Sequence, residues 1–469
     1  MNWPTGTLVI AALFAATPAF AAQNLLDTYD QALRNDTDLL TARAESGAAA
    51  ARYRQARGQL LPNLSANADY SRVTQDQTFE SPNDDGGMAG GGFFDGSDGA
   101  TTSDQQSYSL DLTQPLFNWT AWQNKDAAAA RSQQAALSLS AAEQQLIVRV
   151  AEAYFDVLAA RDAVTGAREQ QRSINRQLDR AQAAFEAGLD PITDQQEAQS
   201  SLDSAVVDAI DAENQLASAR DALISLTGRA PQGLSGIDDK ESVPARQDQA
   251  SARDRDDWLA VALDRSPQVA ASRAAWQAAR ENIAAERGGH LPTLNLVGSV
   301  GRSERLFPAG GGQANLVDET RSIGLQLQMP LFSGGATSAA VSEAEYNAEQ
   351  SRLDLISARR QLLIDINGAY RNVGATARRL DALDRAIASG QTALEAAQAG
   401  YRLGNRTILD VIEAQIALVQ RRADRKQAWY DHALARLRLR RAAGVLDFNA
   451  LARINARLRG APAAFQARG

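Results

Sequence analysis

Three groups of residues in this 469-residue chain could do chemistry, and two of them lack the partners that chemistry needs. His290 and His432 are the only histidines, and neither has a metal-ligand partner at helical spacing. The glycine runs, one within Ser81–Gly99 and one at Gly310-Gly311-Gly312, lack the Lys-Ser/Thr ending with which a loop cradles phosphate. No Gly-x-Ser-x-Gly occurs, and the absence of cysteine excludes disulfides and thiolate metal sites. No cofactor, metal, nucleic-acid partner or enzymatic activity is expected. The third group lies beside two glycines: Thr193 and Asp194 follow Gly188, while Tyr401 precedes Gly404 and Arg406, Asp410 and Glu413 follow it. Arginine–carboxylate pairs make directional, charge-assisted hydrogen bonds. Asp410 and Glu413, three apart, would share one helix face. Exposed pairs of this kind are worth only about 1 kcal/mol, so these residues alone also fit a solvated helix end with incidental ion pairs.

The elements that position them follow from proline. None occurs between Pro115 and Pro191 or between Pro330 and Pro462. Proline breaks helix interiors, so these gaps permit very long helices. Leu139, Leu146, Val150, Ala153 and Val157 keep a three-four spacing with Glu143, Gln144 and Arg149 between them. From Phe117 to Gly188 is about 70 residues, roughly 105 Å if helical. An ordinary coiled coil would satisfy the spacing equally.

Between the prolines the period changes to two. Leu64, Ala66, Ala68 and Tyr70 alternate with Ser65, Asn67, Asp69 and Ser71, and Tyr108, Leu110 and Leu112 with Ser109, Asp111 and Thr113. Leu294, Leu296, Gly298 and Val300 repeat this less cleanly, and Ile323, Leu325, Leu327 and Met329 most clearly. Strands of about ten residues with one apolar face suit a transmembrane β-barrel. A soluble antiparallel sheet with one buried face shows the same alternation. The glycine-rich connections read as flexible exposed loops.

The pattern occurs twice. Leu61-Pro62 recurs as Leu291-Pro292 and Pro115-Leu116-Phe117 as Pro330-Leu331-Phe332; Tyr154, Gly188, Ala198-Gln199 and Gly228 recur at an offset of 216. This predicts a duplicated unit of more than 200 residues. Residues 23–228 form the first repeat, with strands at 64–74 and 107–115 and a helical hairpin turning near Gly188. Residues 258–444 form the second, with strands at 293–303 and 322–330 and a turn near Gly404. A polar linker, 229–257, joins them, and 445–469 is the equivalent tail. Asp36 and Ser266 are expected to cap the first helix of each repeat. Residues 1–22 carry no charged side chain, contain an apolar run and end in Ala19-Phe20-Ala21, as a secretory signal peptide does. Four strands cannot close a barrel, and lipid does not tolerate open sheet edges. If the strands span a membrane the chain must oligomerise, a dimer giving eight strands and a trimer twelve.

The turns are the most specific part. They read Phe185-Glu-Ala-Gly188-Leu-Asp-Pro-Ile-Thr193-Asp194 and Tyr401-Arg-Leu-Gly404-Asn-Arg406-Thr-Ile-Leu-Asp410-Val-Ile-Glu413. With the duplication, the Leu-Pro and Pro-Leu-Phe markers and the start Asn24-Leu25-Leu26-Asp27-Thr28-Tyr29, the chain resembles the TolC family, outer-membrane channel-tunnels of type I secretion and multidrug efflux. The resemblance implies a mixed α and β membrane protein. In it a trimeric twelve-stranded transmembrane β-barrel continues into a long periplasmic α-helical barrel, with the linker and tail as an equatorial belt. It implies an exit duct, passive in itself, opened at the tips by a periplasmic adaptor and an inner-membrane pump of ABC or RND type, with outer-membrane lipid around the barrel. Gly188, Leu189, Gly404 and Asn405 would face the adaptor. Arg406 would bond Thr193 and Asp194, Tyr401 would bond Asp194, and threefold symmetry would make carboxylate rings of Asp410 and Glu413. Pro62, Pro115, Phe117, Pro292, Pro330 and Phe332 would lie at the barrel–helix junction. The contrasting expectation is a trimeric coiled-coil or adhesin-like envelope protein without a transport role.

Overall fold

A computed structural model describes residues 23–77, 99–188, 191–231, 233–237, 254–309 and 312–458. The expected signal peptide, almost all of the Ser81–Gly99 loop, Leu189 and Asp190, most of the linker and residues 459–469 lie outside them. The order of elements is α1 (Leu25–Asn35), α2 (Thr37–Gly58), β1 (Asn63–Gln77), β2 (Gly99–Phe117), α3 (Trp119–Glu186) and α4 (Ile192–Thr227). Then follow α5 (Arg255–Arg265), α6 (Pro267–Arg287), β3 (Thr293–Ala309), β4 (Gly312–Gln328), α7 (Ala336–Arg402), α8 (Ile408–Ala442) and α9 (Phe448–Asn455). No described helix is long and apolar enough to cross a membrane. The chain divides into two compact units.

One unit comprises Glu45–Ala136 and Ala271–Ile356 and holds the sheet. Its four strands are antiparallel in the order β1-β2-β3-β4, which leaves β1 and β4 as edges. Residues directly opposite across a ladder share a face. Leu64, Leu112, Gly298 and Ile323 form one such row, and Ala66, Leu110 and Val300 run along the next. Leu64, Leu110, Val300, Ile323, Leu325 and Leu327 are all exposed, so this apolar face is uncovered within the chain. Rows of the other face are polar: Ser65, Asp111, Ser299 and Ser322 align, as do Asn67 and Ser109.

The strands run 15 to 19 residues, well past the alternating stretches. Beyond Ser71, β1 is polar except for Val73, so the period fades while the ladder goes on. Cross-strand side chains sustain it there: Arg72 pairs with Asp104 at 2.6 Å and Thr74 with Thr102 at 3.2 Å.

At the strand–helix junction, Pro62 and Pro292 immediately precede β1 and β3. Pro115 lies inside β2, where the register shifts between Pro115 and Phe117. Phe117 packs edge-on against Trp122 at 5.4 Å, while Trp119 donates its indole N–H to the Ala284 carbonyl at 3.0 Å. Pro330 and Phe332 fall in the β4–α7 connection, with Phe332 88% exposed. The two halves therefore differ here: one phenylalanine is packed and the other bare.

The other unit comprises Met1–Ala44, Leu137–Ala270 and Ser357–Gly469. Its core is an aromatic cluster. Phe155 stacks on Tyr430 at 5.4 Å, and Tyr154 and Trp429 meet Phe155 edge-on. Burial comes with partners: Tyr154 donates to the Ser235 carbonyl at 2.7 Å and Tyr430 to Asp162 at 2.8 Å. Burial also pushes both phenol pKa values up. Asp36 caps α2 by accepting from the Leu39 N–H at 2.8 Å, and Arg149 holds it at 2.7 Å. Two short helices beyond the sequence expectation, α1 and α5, precede Asp36 and Ser266.

Candidate functional site

Both long helical hairpins turn through a glycine in the left-handed region, Gly188 at φ 73° and Gly404 at φ 74°. A side chain there would clash with its own carbonyl, which is why both turns carry glycine. At the second turn the Gly404 N–H donates to the Tyr401 carbonyl at 3.0 Å and the Asn405 N–H to the Gly400 carbonyl at 3.1 Å. These bonds close the last turn of α7. At the first turn the Gly188 N–H donates to the Phe185 carbonyl at 2.9 Å.

The restarts differ. α8 opens on a capping box: the Asp410 N–H donates to Thr407 Oγ1 at 3.2 Å, and the Thr407 N–H donates to the Asp410 carboxylate at 2.9 Å. This satisfies two backbone donors that a helix end otherwise leaves bare. The Thr407 hydroxyl adds a bond to the same carboxylate at 3.0 Å, and Arg406 Nη1 lies 3.3 Å from its other oxygen. α4 opens on Pro191, which makes no side-chain cap.

The capping bonds from Thr407, backbone first and hydroxyl second, hold the Asp410 carboxyl below the usual carboxylate range, and Arg406 adds to the effect. Gly400 lets Arg406 lie close: a Cβ there would come within 2.6 Å of Arg406 Cγ. Beneath the turns, Ile174, Ala198, Ala205, Ile408 and Ile412 form a buried cluster against which Tyr401 packs.

The predicted residues are thus gathered at two neighbouring kinds of turn, with one redistribution. Within the chain, Arg406 pairs with Asp410, four residues on, rather than with Thr193 or Asp194. The reason is reach, since Arg406 directly precedes the Thr407 cap that the Asp410 carboxylate closes. Thr193 and Asp194 start α4, their side chains 3.5 Å apart. Glu413 is exposed, and Leu189 is outside the described residues. Thr407 was not singled out from sequence, although Thr407-x-x-Asp410 carries the capping signature. His432 is buried and shares a 2.9 Å hydrogen bond with Thr376, while His290 sits exposed in a short turn before β3. Among the described residues no group of His, Asp and Glu is arranged to hold a metal.

Residues 28–229 and 258–445 each match the model of the family described as "Outer membrane efflux protein". The chain is 31% identical over 451 residues to the outer membrane protein TolC of Vibrio cholerae, covering 96% of this chain and 97% of that one. It is also 31% identical over 457 residues to the alkaline protease secretion protein AprF of Pseudomonas aeruginosa, covering 95% of this chain and 89% of that one. Among solved structures, the CmeC outer membrane channel of Campylobacter jejuni shares the fold, with a TM-score of 0.74 over 99% of each chain at 18% identity. These relatives do not favour an adhesin-like coiled coil. The chain belongs to the TolC-type outer membrane efflux protein family and is an outer-membrane exit duct for secretion and efflux.

Proposed function

We propose that three copies of this chain close a twelve-stranded barrel through the outer membrane, and that their helical hairpins form a periplasmic tunnel gated at its tips. The observation that carries this reading is the sheet. Its apolar face is bare, and among the described residues its edges β1 and β4 have no partner. In lipid each unpaired backbone group costs several kcal/mol, so such a sheet needs neighbours on both edges. Two similar halves in each of three chains would give the tunnel quasi-sixfold symmetry. The double match of the family model supports the duplication on which this rests.

Arg406 of one chain faces a choice in this assembly. It stays with Asp410, or it turns to Thr193 and Asp194 of a neighbouring chain and ties the hairpins together. The exposed Arg406–Asp410 pair holds it only weakly. A periplasmic adaptor that contacts the turns at Gly188, Leu189, Gly404 and Asn405 would shift that choice and open the duct to an inner-membrane pump. Asp410 and Glu413, repeated threefold, would line the constriction with carboxylates and favour cations. The duct performs no catalysis; the pump supplies energy and selects cargo.

The test is purification from outer-membrane fractions. The reading expects a heat-modifiable trimer, strongly helical by circular dichroism, with small closed-state conductance in planar bilayers. A soluble monomer would overturn it.

A further inference from the structure

The helical unit buries a titratable group that the turns do not use. His432 of α8 is 7% exposed and hydrogen-bonded at 2.9 Å to Thr376 of α7. The Thr376 hydroxyl donates to the Asn372 carbonyl at 2.8 Å, so its oxygen is left to accept from a ring N–H. A neutral ring and a protonated ring both supply one, so this bond survives protonation and a proton adds only charge. His432 also lines a cavity of about 230 Å³, together with Arg436 of α8, Arg453 of α9 and Arg457 just beyond it. No carboxylate lines that cavity among the described residues. Arg436 has an interaction of its own, yet burial and the charges of Arg457, Arg440 and Arg453 push its pKa down to about 10. From α7, Arg379 pairs with Asp431 of α8 at 3.3 Å, so those two charges offset one another. Burial first and Arg457 second hold the His432 pKa below its ordinary value, while the Val373 carbonyl opposes them.

We propose that His432 is an acid-sensitive switch for α9: neutral, it lets α9 dock beside α8, and protonated, it loosens α9. With only 8 residues α9 is too short to hold its shape alone, so docking keeps it ordered. Leu451 and Ile454 are buried, Asp447 accepts from the Ala450 N–H at 2.9 Å, and Asn455 accepts from the Leu25 N–H at 3.0 Å. A proton on His432 places a further positive charge beside Arg453 and Arg457, which α9 and its end carry, with no lining carboxylate to offset it. An unfolded histidine takes its proton near pH ~6.5, and this folded one only at lower pH. The docked state is therefore fully stable above about pH 6.5 and loses stability as pH falls toward the folded value.

The full-length protein, purified in detergent, should be followed by hydrogen exchange between about pH 7.5 and about pH 5, with rates corrected for the intrinsic chemistry of amides. Amides of residues 451–455 should exchange several-fold faster at the acid end. His432→Gln keeps a neutral side chain that can still hydrogen-bond, and it should abolish this acid response. Asp447 is intact in that variant, so a response arising from the α9 cap would persist there. Arg457→Gln removes a repelling charge and should shrink the response, and it serves alone if His432→Gln does not assemble. Wild-type protection of α9 that stays constant across the range would overturn the switch. So would an acid response as large in either variant as in wild type.

Discussion

The two hairpin turns of this chain end alike and begin differently. Both α3 and α7 stop at a left-handed glycine, but α8 restarts on the Thr407–Asp410 capping box, whereas α4 restarts on Pro191 with no side-chain cap. Among the described residues, the second restart has a side-chain cap and the first has none. A repeated order of elements can thus carry unequal turns: the backbone keeps the turn, and a few side chains decide which restart is capped. Arg406 stands where the first half has Asp190, so the halves place opposite charges at matching positions.

The largest expected effect comes from removing the proposed latch. Arg406→Ser should raise single-channel conductance several-fold in planar bilayers, and an unchanged conductance would take Arg406 out of the gate. Next comes selectivity. Asp410 both caps α8 and pairs with Arg406, so its neutralisation mixes two effects. Glu413 has neither task, and Glu413→Gln should weaken cation preference and leave the turn intact. Unaltered reversal potentials would count against a carboxylate ring.

These inequalities were only partly legible in the sequence. The glycines, the prolines and the offset of 216 mark both turns, because backbone geometry at each demands particular residues. Arg406, Asp410 and Glu413 could be named, but not their pairing, since one arginine can reach either its own helix or another. Thr407 carries no charge, and its part follows only from its place three residues before Asp410 at a helix start. The first part of β2, residues 99–106, lies outside the expected strand at 107–115 for a different reason. Where both faces are polar no period survives, and the pairing of Asp104 with Arg72 and of Thr102 with Thr74 reveals this part of β2.

Smaller effects probe the shared part of the turns. Gly188→Ala and Gly404→Ala should each cost about 1–2 kcal/mol locally, since both force a side chain into left-handed backbone. Equal losses of amide protection at the two turns would uphold their common geometry, and a loss at only one would break it. Thr407→Ala should remove about 1 kcal/mol from the start of α8. Pro191→Ala should leave the start of α4 nearly unchanged, because Pro191 contributes no cap. Hydrogen exchange at Ile408–Val411 and at Ile192–Gln195 would read the contrast.

The mildest prediction concerns pH. The Asp410 carboxyl is held below its ordinary range in the folded tip. Its contribution is therefore complete above the unfolded value of about 4 and is lost as pH falls through the folded one. Protection at the start of α8 should drop in acid while that of α4, which lacks this cap, changes less. Protection that rises on acidification would contradict the assignment.

The central claim is that Arg406 of one chain latches onto Asp194 of another. The chain has no cysteine of its own, so Asp194→Cys/Arg406→Cys introduces the only thiols. Under mild oxidation this variant should yield covalently linked trimers on denaturing gels. Its conductance should stay at the closed level when wild-type channels are opened, and a reductant should release it. Disulfides confined to single chains, or no cross-link at all, would contradict a latch between subunits.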